Sequence, residues 1–141
     1  MTQTTEKRSQ VEALSLYEQD FLLWSEDIAA KLKTRNFEHL DLENLIEEVE
    51  SLGRSDRKEL LSRLVVIFEH LLKRLYVELA NDYNGWERTV RTQRNELVIL
   101  LKQSPSLKSI WQKSVEDAWS IALKSVQKEY LNTKFPGLIR G

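Results

Sequence analysis

The chain has 141 residues, of which 41% are hydrophobic and 30% charged, and it contains no cysteine. This length suits one domain with a core of its own, and the composition excludes a disordered chain. The absence of cysteine excludes disulfides, thiolate nucleophiles and Cys-ligated metals and favours a reducing compartment, so we expect a cytoplasmic protein. Residues 1–10 lack a signal-peptide pattern and the longest apolar run, 64–68, is too short to span a membrane, so neither export nor membrane insertion is expected.

The charges are unevenly distributed along the chain, although the formal net charge is only -1. Residues 1–53 hold 5 Lys/Arg and 12 Asp/Glu, whereas residues 54–141 hold 16 and 10, which gives -7 and +6. We expect the acidic part to pack on the basic part, within one molecule or across a dimer. The alternative is a nucleic-acid surface on the basic part.

The first three predicted helices occupy the first half of the chain. Apolar residues at spacings of three and four predict a helix over 14–32. Asp41 suits the N-cap of a second helix, which ends where Gly53 can take a left-handed conformation. Its inward side chains are predicted to be Leu42, Leu45, Val49 and Leu52. Ser55 then caps a third helix that continues to about Leu79 and is apolar on most of its circumference, as a central helix is.

The second half predicts two more helices. Residues 81–85 form a loop by composition, and a fourth helix follows over 86–101. Ser104 ends it, and Pro105 suits the first turn of a fifth helix that reaches Val126. Since no segment alternates as a strand does, we predict an all-α, single-domain bundle of about five helices. The chain is thus predicted to consist of a flexible N-terminus over 1–13, the helical bundle over 14–134 and an irregular tail over 135–141.

Six polar residues interrupt the apolar faces of these helices when each residue advances about 100° around the axis. They are Asp20, Glu48, Arg63, His70, Gln93 and Arg94. Burying such groups without partners is costly, so we expect them to form one hydrogen-bonded cluster. In this cluster, we expect the carboxylate of Asp20 or Glu48 to accept a hydrogen bond from Arg63 or Arg94. The cluster either fixes the register of the helices or marks a functional site.

The chemistry of this cluster allows two sharper hypotheses. His70 with Glu48 and Asp20 could bind manganese, iron or zinc, but the nearby arginines oppose a cation, so neither a metal nor a cofactor is expected. Arg63 and His70, with six residues between them, also match the spacing used by helical ribonucleases of the HEPN class. The surrounding leucines favour burial over catalysis.

Basic residues of the fourth helix form a second candidate surface. Arg88, Arg91 and Arg94 recur at every third position and, with Lys102, could contact phosphates. A solvated helix face is the favoured interpretation, because no aromatic platform lies between them and the chain is slightly acidic. No glycine-rich phosphate loop and no Ser, His and Asp arrangement occurs in the sequence.

Short motifs spread over residues 14–136 form a specific combination. They are Tyr17, Asp20 and Trp24; Asp41, Asn44, Leu45, Glu47 and Glu48; His70, Leu71, Leu72 and Lys73; Trp86, Thr89, Gln93 and Arg94; and Ser104, Pro105, Ser106 and Leu107. In this combination the chain resembles the domain of unknown function family 29, which is abundant in cyanobacteria. The resemblance implies a compact helical fold in the cytoplasm and no established activity. Arg74 departs from it by standing where an aromatic residue is usual, and the tail after Pro136 is shorter.

The function predicted from these patterns is a non-enzymatic helical interaction or regulatory module, either a homodimer or a binder of another protein. Long apolar helices offer packing surfaces for such a role. The rival is an enzyme or a HEPN-like ribonuclease built on the inward cluster, and an open pocket at that cluster would favour it. Nucleic-acid binding through the fourth helix is a third hypothesis, and no membrane partner is expected.

Overall fold

A computed structural model describes residues 15–137 and shows an all-α protein, as predicted. Five α-helices lie in this range: α1 (Leu16–Gln19), α2 (Phe21–Lys33), α3 (Leu42–Tyr76), α4 (Tyr83–Gln103) and α5 (Trp111–Glu129). Short 3₁₀ helices occupy Phe37–His39, Ala80–Asp82 and Pro105–Ile110. The predicted flexible N-terminus over 1–13 and the last four residues of the predicted tail lie outside the described residues. The predicted domain bounds, 14–134, stay a prediction.

The chain divides into two compact units, with the boundary between Ser51 and Leu52. The N-terminal unit contains α1, α2 and the first part of α3, whereas the C-terminal unit contains the rest of α3 with α4 and α5. Within residues 15–137, no helix combines the length and the apolar character that crossing a membrane requires.

The predicted first helix is interrupted at Asp20, which ends α1 and begins α2. Asp20 has an extended backbone, and its carboxylate accepts a hydrogen bond from the backbone N–H of Leu23 at 3.1 Å. An aspartate that caps a helix in this way satisfies one of the N–H groups that have no partner inside the helix. Its side chain is therefore exposed, and the prediction that Asp20 points into the core is wrong.

The C-terminal end of α2 is closed by a left-handed residue that is not glycine. Arg35 has a φ of 60°, and the backbone N–H groups of Arg35 and Asn36 donate to the carbonyls of Leu32 and Lys31 at 3.2 and 2.9 Å. This pair of hydrogen bonds is the Schellman arrangement that usually places glycine at the left-handed position. Trp24 and Ile28, which are buried, lie one turn apart on one face of α2.

The predicted second and third helices are one continuous helix, α3, of 35 residues. Gly53 lies inside α3, and none of the glycines described has a positive φ, so the predicted break at this position is wrong. Glycine inside a helix costs only about 1 kcal/mol relative to alanine, which the packing of a long helix overcomes. The N-cap prediction at Asp41 is confirmed, since its carboxylate accepts from the backbone N–H of Asn44.

The core of the C-terminal unit consists of two clusters of buried side chains. The first contains Leu60, Leu64, Ile67, Leu97, Leu100, Leu107 and Ala118. The second contains Leu72, Ala122, Leu123 and Val126. Both α3 and α5 contribute to each cluster, so α3 has the central role that its apolar circumference predicts.

The connections of the C-terminal unit differ from the prediction at three points. Residues 80–82 form a 3₁₀ turn and α4 already begins at Tyr83, so the predicted loop over 81–85 is too long. Pro105 opens a 3₁₀ helix, and α5 begins only at Trp111. The predicted third helix ends at Tyr76 and not at about Leu79. Phe135, the first residue of the predicted tail, packs against the second cluster, and its ring lies 6.0 Å from that of Tyr76.

Candidate functional site

Hydrogen bonds around Asp41 hold the N-terminal unit together. The Asp41 carboxylate accepts from the indole Nε1–H of Trp24 at 3.0 Å and from the side-chain amide of Asn44 at 2.7 Å. The bond from the Asn44 side chain, followed by the bond from Trp24, lowers the pKa of Asp41, although burial acts in the opposite direction. Asp41 therefore caps α3 and anchors the buried indole of α2 at the same time.

Tyr17 and Glu48 form a second polar contact in this unit. The Tyr17 hydroxyl donates a short hydrogen bond to the Glu48 carboxylate. This bond, with smaller contributions from burial and from the nearby acidic charges, raises the pKa of Tyr17. The Tyr17 ring packs edge-on against Trp24, with their ring centroids 4.8 Å apart. Glu48 is half-buried as predicted, but its described partner is a tyrosine that the sequence analysis did not consider.

Arg63 is the centre of the polar contacts in the C-terminal unit. Its guanidinium donates to the Gln93 side-chain carbonyl at 2.9 Å, and it lies 3.4 and 3.7 Å from the carboxylates of Glu59 and Glu96. Its Nε atom is buried and has no hydrogen-bond partner among the described residues. Arg63 and Gln93 are thus bonded to each other as predicted members of one network, but the carboxylates beside Arg63 belong to Glu59 of α3 and Glu96 of α4 and not to Asp20 or Glu48.

His70 is half-buried on α3 and is held by its own helix. Its Nδ1 lies 2.8 Å from the backbone carbonyl of Val66, so Nδ1 carries the proton that forms this bond. Arg63 and Gln93 line a cavity of about 380 Å³, and His70 is not among the residues described around it. The structure therefore does not bring the six predicted residues together into one open site.

A larger apolar groove lies between α3, α4 and α5 of the C-terminal unit. Its volume is about 840 Å³, and we call it the C-terminal groove. Its apolar walls include Phe68, Leu71, Val98, Leu101, Trp111 and Val115. Arg91 and Arg94, which are exposed, also line it. The prediction that Arg94 points into the core is wrong, because its side chain lies at this groove and not in the inward cluster.

The other residues predicted to contact phosphates lie on the solvent side of α4. Arg88 and Lys102 are exposed, as Arg91 is. This exposure fits the favoured interpretation of a solvated basic face. Phosphate contact by these residues stays a prediction.

An apolar stripe runs along the first three turns of α3, in the N-terminal unit. It consists of Leu42, Ile46 and Val49, which are 54%, 53% and 59% exposed, and we call it the α3 stripe. Their spacing of four and three places them on one face of the helix. The prediction that Leu42, Val49 and Leu52 point inward is wrong, because all three are exposed while Asp41, Asn44 and Glu48 hold another face of α3 through hydrogen bonds.

Arg74 makes contacts that the sequence analysis missed. Its guanidinium lies 4.0 Å from the centroid of the Tyr83 ring, and its Nε donates to Glu87 at 2.7 Å. A planar guanidinium on an aromatic face gains both a cation–π contact and packing area.

The metal hypothesis requires at least three donor side chains that lie close together within residues 15–137. No group of three or more His, Asp or Glu side chains that could hold a metal occurs among them. The three residues of the metal hypothesis each have another role, because Asp20 caps α2, Glu48 accepts from Tyr17 and His70 donates to Val66.

Comparisons with curated proteins and with solved structures find no match to this chain. The model of one protein family, described as a domain of unknown function, DUF29, matches residues 16–139. This range contains the α3 stripe and all the residues that line the C-terminal groove. The chain therefore belongs to the DUF29 family.

Proposed function

We propose that the protein is a non-enzymatic, cytoplasmic interaction module that self-associates through the α3 stripe. The observation that carries this proposal is the exposure of Leu42, Ile46 and Val49 on one helical face. Apolar side chains at positions i, i+4 and i+7 are the anchors by which a helix docks on an apolar surface. Fully burying a side chain of this size stabilises a complex by roughly 1.5–3 kcal/mol.

The polar contacts on the opposite face of α3 support an intermolecular role for the stripe. Asp41 and Glu48 hold that face against Trp24 and Tyr17, so the helix is fixed in its rotation by the fold. The stripe therefore already faces solvent in the free protein and needs no rearrangement to bind. Contiguous exposed apolar residues rimmed by polar ones are typical of interaction sites.

The division of charge supports a second copy as the partner. Residues 1–53 carry -7 and residues 54–141 carry +6, so the acidic part of one copy and the basic part of another attract each other. The basic part also attracts nucleic acid. An apolar stripe, however, makes no favourable contact with a phosphate backbone. The cytoplasmic setting is supported by the absence of cysteine.

The non-enzymatic part of the proposal is supported by the bonds of Arg63 and His70. Arg63 is engaged with Gln93 and two carboxylates, and His70 donates to a backbone carbonyl of its own helix. Side chains used in this way fix the positions of helices. We expect no cleavage of single-stranded RNA by the purified protein. Cleavage that is abolished in His70→Ala would contradict this part of the proposal and support the ribonuclease hypothesis.

The experiment for self-association compares the wild type with Ile46→Asp by sedimentation equilibrium. We expect a dimer for the wild type and a dissociation constant at least about tenfold higher for the variant, because a charge replaces a central apolar anchor. The matched control is Ile99→Asp, since Ile99 is 50% exposed on α4 and lies outside the stripe. A wild type that stays monomeric at high protein concentration, or equal effects of both substitutions, would contradict the proposal.

A further inference from the structure

The C-terminal groove is a large, mostly apolar concavity on the described C-terminal unit. We propose that the groove of one copy receives the α3 stripe of a second copy, with Arg91 and Arg94 facing the acidic residues beside the stripe. This inference rests on the proposed self-association and adds the surface that receives the stripe. The contact is a helix in an apolar groove, a recurring mode of peptide recognition.

The groove has the shape and the chemistry for an amphipathic helix. Phe68 and Leu71 of α3, Val98 of α4 and Trp111 of α5 supply large apolar surfaces from three sides. Its volume of about 840 Å³ accommodates several apolar side chains inserted from one direction. The residues of α4 that line it run from Val90 to Leu101, which is about 16 Å along the helix at 1.5 Å per residue.

Arg91 and Arg94 give the groove a positive edge. They lie three residues apart on α4, hence on neighbouring positions of one helix face. Neither has an ion pair or a hydrogen bond within residues 15–137, whereas Arg63 and Arg74 are both paired with carboxylates there. Two unpaired guanidinium groups beside an apolar surface favour an occupant that carries carboxylates next to apolar side chains.

The α3 stripe carries that combination. Each of its three residues is followed directly by a glutamate: Leu42 by Glu43, Ile46 by Glu47 and Val49 by Glu50. Because successive residues of a helix are about 100° apart, the three glutamates form a row alongside the stripe over its whole length. The stripe extends over eight residues, which is about 10 Å from Leu42 to Val49 along the helix axis, so it fits within the length of the groove.

A second copy is the occupant that these matched surfaces favour. Each copy carries one stripe and one groove, so a dimer with a two-fold axis offers the same contact twice. Two such contacts bind cooperatively, because formation of one brings the other surfaces together. A small molecule with an apolar chain and a carboxylate shares the required chemistry and is the competing occupant in the tests below.

The first test exchanges charges between copies of the full chain. We expect Arg91→Glu/Arg94→Glu and Glu43→Lys/Glu47→Lys each to raise the dissociation constant at least about tenfold, because like charges then face each other. An equimolar mixture of the two variants restores the dimer, since each contact then pairs opposite charges. Native mass spectrometry distinguishes this mixed dimer, and circular dichroism verifies that both variants are folded.

The second test fills the groove without changing charge. Val98→Trp places a large side chain inside the groove, whereas Ile99→Trp, its matched control, changes the neighbouring exposed residue that does not line it. We expect the first substitution to weaken the dimer at least about tenfold and the second to have little effect. Equal effects of the two would overturn the assignment of the groove.

The outcomes separate this inference from the proposed function. A wild type that is dimeric and sensitive to Ile46→Asp, but unaffected by the groove variants, leaves the self-association intact and overturns the groove as its receiving surface. A mixture of charge variants that remains monomeric also overturns the inference. Groove variants that leave the dimer unchanged but abolish binding of a fatty-acid probe would assign the groove to the small amphiphile instead.

Discussion

The two units of the chain are stabilised by different means. In the N-terminal unit the described buried apolar side chains are Trp24 and Ile28, and polar bonds and edge-on aromatic contacts join the helices there. The C-terminal unit contains the remaining twelve buried apolar residues of the described chain, arranged mostly in the two core clusters. Since burial of apolar surface dominates folding stability, the C-terminal unit is the more stable part.

This difference shows why the interaction surfaces lie where they do. In the N-terminal unit, hydrogen bonds hold one face of α3. The three aliphatic side chains of the α3 stripe therefore remain exposed on another face. The C-terminal unit instead packs its aliphatic residues into a core and leaves a groove between the helices. The following substitutions test whether the two units respond as differently as their contacts predict.

The largest effect is expected in the core of the C-terminal unit. Leu60 is 0% exposed in the first cluster, so Leu60→Ala removes buried methyl groups and leaves a cavity. We expect a loss of about 3 kcal/mol in the free energy of unfolding, measured by urea denaturation. The matched control is Leu131→Ala, at a leucine that is 84% exposed, and it should change stability by less than about 0.5 kcal/mol. Similar losses for both would show that packing does not distinguish these positions.

A smaller effect is expected from the hydrogen bonds of the N-terminal unit. Asp41→Ala removes the cap of α3 and leaves the indole N–H of buried Trp24 without its acceptor. We expect a loss of about 2 kcal/mol, measured by the same denaturation experiment. An effect no larger than that of Leu131→Ala would mean that the polar contacts contribute little to this unit.

The charge of Asp41 gives this effect a dependence on pH. Its folded pKa is lowered below the ordinary value of 3.8, so its ionised form stabilises the folded state. That contribution is present above the ordinary value and disappears as the pH falls through the lowered one. Asp41→Asn keeps a capping side chain but cannot titrate, and melting temperatures between about pH 2 and 6 should therefore fall less on acidification than those of the wild type.

The smallest expected effect is an increase in the free energy of unfolding, caused by a substitution within α3. A Cβ added at Gly53 would lie no closer than 3.8 Å to any neighbouring side chain, and the backbone there is helical. We expect Gly53→Ala to stabilise the protein by roughly 0.5–1 kcal/mol in thermal or urea unfolding. A destabilised variant would indicate a left-handed glycine and therefore a break in α3.

The regular helices and most of the C-terminal core follow from the spacing of apolar residues. Leu60, Leu64 and Ile67 repeat at four and three, and the sequence contains all the information needed to place them inward. The continuity of α3 could not be predicted, because Gly53 followed by Ser55 is also the pattern of a helix end followed by a helix start. Whether two helices or one continuous helix forms depends on packing along the whole length of α3.

The partners of polar residues were the least predictable part of the site. The helical wheel placed Arg63 and Gln93 inward, and both are half-buried and bonded to each other. It also placed Asp20 inward, because a wheel assumes an unbroken helix and cannot show that an aspartate caps a new one. The groove depends on three helices whose mutual spacing no local pattern encodes, so Arg94 could not be assigned to it from sequence.

The position of Trp111 allows occupancy of the groove to be followed by tryptophan fluorescence. Trp111 is 37% exposed and lines the groove, whereas Trp24 is only 4% exposed and hydrogen-bonded to Asp41. Any occupant that covers the indole of Trp111 removes water from it and shields it from soluble quenchers. Its fluorescence emission therefore moves to shorter wavelength when the groove is filled, and a chain in which Trp111 is replaced by phenylalanine provides the background. Occupancy can thus be followed on the unlabelled protein, at concentrations too low for scattering methods.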